Sequence, residues 1–93
     1  MCVFDWNDEK NQILRKERDV TFEDVVFHIT HDGLLDIIEH PNKELYSGQR
    51  IFIVNIEEYV YIVPFVENDE AIFLKTIIPS RKMTKLYLKG GKK

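Results

Sequence analysis

Seven basic residues and no acidic one occupy positions 75–93, whereas residues 1–74 hold six basic and 16 acidic side chains. In the stretch "LKTIIPSRKMTKLY" (74–87), Ser80 is a natural N-cap, so Arg81 and Lys82 are expected in the first turn of a closing helix. Cations are disfavoured there by about a few tenths of a kcal/mol, because the helix start already carries partial positive charge. They gain when an anion docks, since backbone N–H groups and charged side chains then converge on it. Lys85 follows one turn later, and Lys75 joins the group if its strand presents it toward the helix. Such a cluster suits the phosphates of RNA or DNA. A solvated lysine-rich surface and a docked acidic protein are the alternatives.

Three histidines are the other candidates for chemistry. His40 in "EHPN" follows an apolar run and is a candidate general acid or base, with local turn hydrogen bonding as the alternative. His28 and His31 stand at i, i+3 with Asp32 beside them, a spacing that could hold a metal. No third ligand is evident, so helix-surface histidines are expected and no metal or cofactor is assigned. Glu57-Glu58 reads as turn chemistry, and "END" at 67–69 matches no calcium loop. Neither a Gly-rich phosphate loop nor a nucleophile motif around Ser47 or Ser80 is present. Tyr59, Tyr61, Phe65 and Phe73 are expected as core packing, with a stacking platform for bases as the alternative.

The elements that would position these groups follow from capping and periodicity. Residues 2–6 suggest a first strand, with Cys2 as an ordinary residue at its start. Asn7 caps a helix that opens on Asp8 and Glu9, runs to about Arg18 and turns a narrow seam of Ile13 and Leu14 inward. Thr21 and Asp24 stand at the cap and N3 of a second helix, with Val20 and Val25 as a hydrophobic staple. Phe22, Val25, Val26 and Ile29 mark its buried face, and Asp32-Gly33 its stop. "LLDIIE" (34–39) favours a strand. His40-Pro41-Asn42 opens a loop to about Gly48. "RIFIVNI" and "YVYIVPFV" flank Glu57-Glu58 at hairpin spacing and are apolar enough for burial on both faces. Pro64 argues for an edge or a bulge in the second of them. "AIFLKTII" (71–78) is a last strand, followed by a helix over 81–89 that Gly90-Gly91 ends before Lys92 and Lys93. The order β-α-α-β-β-β-β-α describes one α+β domain with a mainly antiparallel sheet.

Composition agrees. Ninety-three residues, 44% hydrophobic and 31% charged, suit one ordered domain and are too apolar for disorder. No apolar run is long enough to span a bilayer, and Met1-Cys2-Val3-Phe4-Asp5 does not resemble a signal peptide. One cysteine excludes an internal disulfide and fits a reducing, cytoplasmic setting. The net charge of −3 argues against indiscriminate nucleic-acid binding, while the basic end allows a local contact.

Three segments resemble the BrnT-type toxins. "FDWNDEKN" (4–11) is similar to their opening, Phe-x-Trp-(Asp/Asn)-x-x-Lys-Asn; "VTFEDVV" (20–26) to the start of their second helix; "LKTIIPSRKMTKLY" to their closing strand and basic helix. The resemblance implies a RelE-like fold and a ribonuclease toxin that needs no metal. It also implies a hetero-oligomer with a BrnA-like antitoxin of the ribbon-helix-helix type. By position, Lys75 and Arg81 fall near the family's active site, Lys82 and Lys85 extend its basic helix, and Arg15 and Lys16 match the basic end of its first helix. RNA would be the substrate and His40 or a lysine the proton carrier. The chain departs from the family before the second helix, where Lys16-Glu17-Arg18-Asp19-Val20 stands in place of Lys-His-Gly-Val, and after Thr84, where Lys85 replaces an acidic residue.

Overall fold

The two most apolar segments form the middle of the sheet. A computed structural model describes residues 3–42, 44–45 and 48–89. The expectations for Cys2, Ser47, Gly90-Gly91 and Lys92-Lys93 lie outside them. The strands are β1 (Val3–Asp5), β2 (Leu34–Glu39), β3 (Gln49–Ile56), β4 (Tyr59–Glu67), β5 (Ala71–Leu74) and β6 (Ile78–Pro79). They order as β1-β5-β4-β3-β2, with β6 also paired to β4. Among the described residues, only the β1–β5 pairing is parallel. The helices are α1 (Asp8–Arg18), α2 (Phe22–Thr30) and α3 (Arg81–Thr84), which continues as a π-helical segment, Lys85–Lys89. This is the α+β fold that the sequence pattern implies.

Alternation along β3 divides the core in two. Phe52, Val54 and Ile56 face Leu14 of α1 and Phe22 and Val25 of α2, with Val63, Phe65, Leu74 and Ile77 in the same cluster. Phe52 and Phe65 stack at 3.9 Å between ring centroids. Ile51, Ile53 and Val60 face the other way, against Met83, Tyr87 and Leu88. The sheet therefore carries α1 and α2 on one face and the C-terminal helix on the other, and β3 and β4 are apolar on both sides for that reason.

Local chemistry sets the helix boundaries. The Asn7 side chain accepts from the Lys10 N–H, and Asp19 closes α1 in the left-handed region, φ 55°. Thr21 and Asp24 form a reciprocal capping box on α2. After α2 the positive φ falls on Asp32, at 73°, rather than on Gly33. Gly33 is needed for space. A Cβ there would stand 2.7 Å from both the His28 Cβ and the His28 carbonyl oxygen, and 2.9 Å from the Asn55 oxygen. Ile13, expected to face inward with Leu14, is 49% exposed.

Three further expectations change. Pro64 lies neither on an edge strand nor in a bulge, since β4 is central. Its carbonyl accepts the Lys75 N–H at 2.8 Å. In an antiparallel ladder a residue's N and C=O face the same side, so the missing donor falls where β5 has ended and β6 has not begun. The strand expected over 71–78 is accordingly two strands. Between them Ile77 is buried in the α1–α2 core, and its carbonyl accepts from Arg18 Nη1 at 2.9 Å. The closing helix is α-helical only to Thr84. The Lys85 N–H is shared between the Arg81 and Lys82 carbonyls, and the wider turn that follows seats Tyr87 and Leu88 on the sheet.

Candidate nucleic-acid interface

The junction from Lys75 to Lys85 is held at four points. Lys75 N–H is bound to Pro64, the Ile77 carbonyl to Arg18, and the Ser80 N–H to the Val60 carbonyl at 3.0 Å. Thr84 is the fourth. Its buried hydroxyl donates to the Ser80 carbonyl at 2.7 Å and accepts the Val60 N–H at 2.9 Å. The Ser80 side chain in turn accepts from the Met83 N–H at 3.1 Å. This scaffold fixes the backbone under Arg81, Lys82 and Lys85, which are all exposed. None of the three has an ion-pair partner among the described residues, where Arg50–Glu67 is the pair present.

Lys75 is exposed too, but it faces different company. It lines an open groove of about 460 Å³ with Phe73 and with Asn7, Glu9, Lys10 and Ile13 of α1. The Lys75 and Ser80 backbones meet β4 at Pro64 and Val60, four residues apart. That is about 13 Å along the strand. The backbone at Lys75 and the backbone that leads into Arg81 are therefore anchored at separate points of β4, and Lys75 lies on the α1 groove.

His40 stands further away. Its N–H donates to the Gln49 carbonyl, whereas Ser80 meets Val60, which pairs with Asn55. Gln49 and Asn55 are six steps apart on β3, about 20 Å. The imidazole Nδ1 accepts the Asn42 N–H at 3.1 Å, which is the local turn role. The structure thus places His40 at the opposite end of β3 from the strand position that anchors the Arg81 junction.

Arg15 and Lys16 are also apart from the junction. Arg15 lines a groove of about 400 Å³ with Asp19, Glu23 and Asp24. Lys16, two positions beyond the buried Leu14, stands on the solvent side of α1. The basic residue of α1 that does reach the junction is Arg18, which sequence reasoning passed over. The carboxylates gather instead around Asp19, Asp24 and Glu57, beside His28 and Tyr61. Burial pushes the Tyr61 hydroxyl up, and Tyr59, Glu57 and Asp19 add to the shift.

The paired histidines of α2 are committed locally. His28 Nδ1–H donates to the Asp24 carbonyl at 2.8 Å, and His31 Nδ1–H to the Phe27 carbonyl at 2.7 Å. The His31 ring stacks on Phe27 at 4.1 Å. Among the described residues, no group of three His, Cys, Asp or Glu side chains is placed to hold a metal ion, and no helix is long and apolar enough to cross a membrane.

Comparison with family models, with curated proteins and with solved structures gives no match to this chain. The functional reading rests on the junction itself.

Proposed function

We propose that this protein binds RNA through the Lys75–Lys85 junction and acts as the ribonuclease toxin of a type II toxin–antitoxin pair, BrnT-like at both ends of its chain. The observation that carries the reading is an acid-free run of exposed cations on a fixed backbone. Lys75, Arg81, Lys82 and Lys85 have no carboxylate partner among the described residues, and hydrogen bonds donated by Arg18 and Thr84 and accepted by the Ser80 hydroxyl hold the strand and helix beneath them. Cations carried on a fixed backbone stabilise a phosphate that gains charge in the transition state.

RNA supplies its own nucleophile, the 2′-OH. Arg81 and Lys82 would bind the scissile phosphate and offset the added charge of the phosphorane. Lys85 is the nearest candidate for moving a proton, since His40 is about 20 Å away along the sheet. Lys75 would hold a neighbouring phosphate. Cleavage on this route leaves a 2′,3′-cyclic phosphate and requires no metal. The partner would be a BrnA-like antitoxin in a cytoplasmic hetero-oligomer.

One observation favours a second reading, a noncatalytic RNA- or antitoxin-binding module. Among the described residues the charged side chains of the junction are all cations, and the histidine proposed for proton transfer is used in a turn. Incubation of the purified chain with end-labelled RNA in EDTA, beside Arg81→Ala and His40→Ala, separates the two. A toxin cleaves, loses cleavage with Arg81→Ala and keeps it with His40→Ala. RNA binding without cleavage selects the module.

A further inference from the structure

We infer that the groove between α1 and the end of β5 is a nucleotide subsite for single-stranded RNA, in which a base stacks on Phe73 and the adjoining phosphates meet Lys10 and Lys75. This deepens the proposed RNA-binding role and rests on it.

The groove is built for an occupant that is flat and apolar on one side and anionic on the other. Ile13 is 49% exposed on a helix whose next residue, Leu14, is fully buried, and Phe73 is partly exposed at the end of β5. Both line the same open space, of about 460 Å³. Lys10 and Lys75 stand on either side of it and have no ion-pair partner among the described residues. An aromatic face with flanking lysines is the combination that single-strand binders use, because every base has a π-face and the backbone carries the charge. The Glu9 carboxylate adds an acceptor for sugar hydroxyls or base amino groups, and the Asn7 amide NH2, whose oxygen is taken by the Lys10 N–H, adds a donor.

The position of the groove supplies the second argument. The segment 75–80 leads from it directly to Arg81, and α1 lies alongside that segment, with Lys10 and Ile13 near Lys75 and Arg18 on Ile77. Lys10 and Arg18 are eight helical residues apart, about 12 Å. Lys75 and Ser80 meet β4 about 13 Å apart. From the groove cations Lys10 and Lys75 the chain thus follows a line past the Arg18–Ile77 bond to Arg81 and Lys82, where α3 begins on the other face of the sheet. Beyond β6 the sheet has no further strand among the described residues, so this line borders an open edge. An extended strand that places one phosphate at Arg81 reaches the groove with a neighbouring nucleotide.

The test is binding of a fluorescein-labelled oligouridylate to the full chain, with Phe73→Leu, Ile13→Asp, Lys75→Gln and Arg81→Ala as variants and folding checked by circular dichroism. Phe73→Leu is expected to weaken binding about tenfold, as loss of one stacked base does, with little change in salt dependence. Ile13→Asp, a surface change that spares the core, is expected to weaken it by a similar factor, and Lys75→Gln to lower the salt dependence. In an oligonucleotide containing 5-iodouridine, ultraviolet crosslinks are expected at Phe73. Binding that falls with Arg81→Ala but is unchanged in all three groove variants, with no crosslink at Phe73, overturns the subsite and leaves the junction standing. A folded parent that binds no oligouridylate overturns both.

Discussion

The Tyr87 hydroxyl donates to the Asp36 carboxylate at 3.0 Å, joining the π-helical end of the chain to the edge strand β2. The other Asp36 oxygen accepts the Ile37 N–H at 2.8 Å. His40 points its N–H inward to Gln49, so by alternation along β2 the Ile37 N–H points to the open edge. One carboxylate therefore blunts an exposed strand and fixes the basic helix over the sheet.

Tyr87→Phe is expected to lower stability by up to about 1 kcal/mol at neutral pH, since the pair is solvent-exposed and partly screened. Burial, the Asp36 hydrogen bond and the Asp36 charge all raise the Tyr87 hydroxyl above its ordinary value of 10.0. A raised acid contributes stability that is present below that value and is lost as pH climbs through the folded one. Denaturant titrations between pH 8 and about 11 should show a decline in the parent that is shallower in Tyr87→Phe.

Asn11 is buried and clasps α1 to α2. Its side-chain oxygen accepts the Phe22 N–H at 2.8 Å, and its amide donates to Glu23 at 2.9 Å. Asn11→Ala leaves a buried N–H unpaired and is expected to cost about 1–3 kcal/mol in urea unfolding. The Asn11 hydrogen bond also leads the causes that lower the Glu23 carboxyl below its ordinary value of 4.5. A lowered acid stabilises above that value and loses its contribution as pH falls through the folded one, so Glu23→Gln should flatten the acid limb of the stability curve.

Thr84→Val keeps the shape of a buried side chain but removes the acceptor of the Val60 N–H. A loss of about 1–3 kcal/mol is expected. RNA affinity should fall as well if the same bond holds Arg81 and Lys82 in place. A mutant as stable as the parent in urea unfolding would remove Thr84 from the scaffold.

Gly33→Ala forces a Cβ against two backbone oxygens and the His28 side chain. About 1–3 kcal/mol of destabilisation is expected by thermal unfolding. Asp32→Gly, at the position that carries the positive φ, should be tolerated or mildly stabilising.

Much of the fold was legible because its signals are local. Asn7, Thr21 and Ser80 cap the helices they precede, and "LLDIIE" forms a strand over the expected residues. The apolar run on both sides of Glu57-Glu58 foretold two cores. The break in "AIFLKTII" was not legible, because it falls opposite Pro64 on the neighbouring strand, a pairing distant in sequence. The parallel β1–β5 pairing depends on contacts distant in sequence. The candidate site was legible in charge but not in grouping. Lys75 joins Arg81 in the sequence only on condition that its strand presents it toward the helix, and the ladder fixes the Lys75 and Ser80 backbones about 13 Å apart on β4. His40 suggested chemistry as a loop histidine after a strand, and only the sheet register sends it to the other end. Arg18 was hidden among the basic residues at the end of α1, where nothing in its spacing sets it apart from Arg15 and Lys16.

The central claim is that the junction binds phosphates, and its most direct test is the salt dependence of RNA affinity. Affinity for single-stranded RNA should be measured across a range of salt for the parent and for Arg81→Ala/Lys82→Ala. Each single-strand phosphate contact contributes about 0.7 to the slope of log affinity against log salt. The double variant is expected to bind more weakly and to lose about 1.4 from that slope. An unchanged slope in a folded double variant would contradict the account, as would a folded parent with no measurable RNA affinity at low salt.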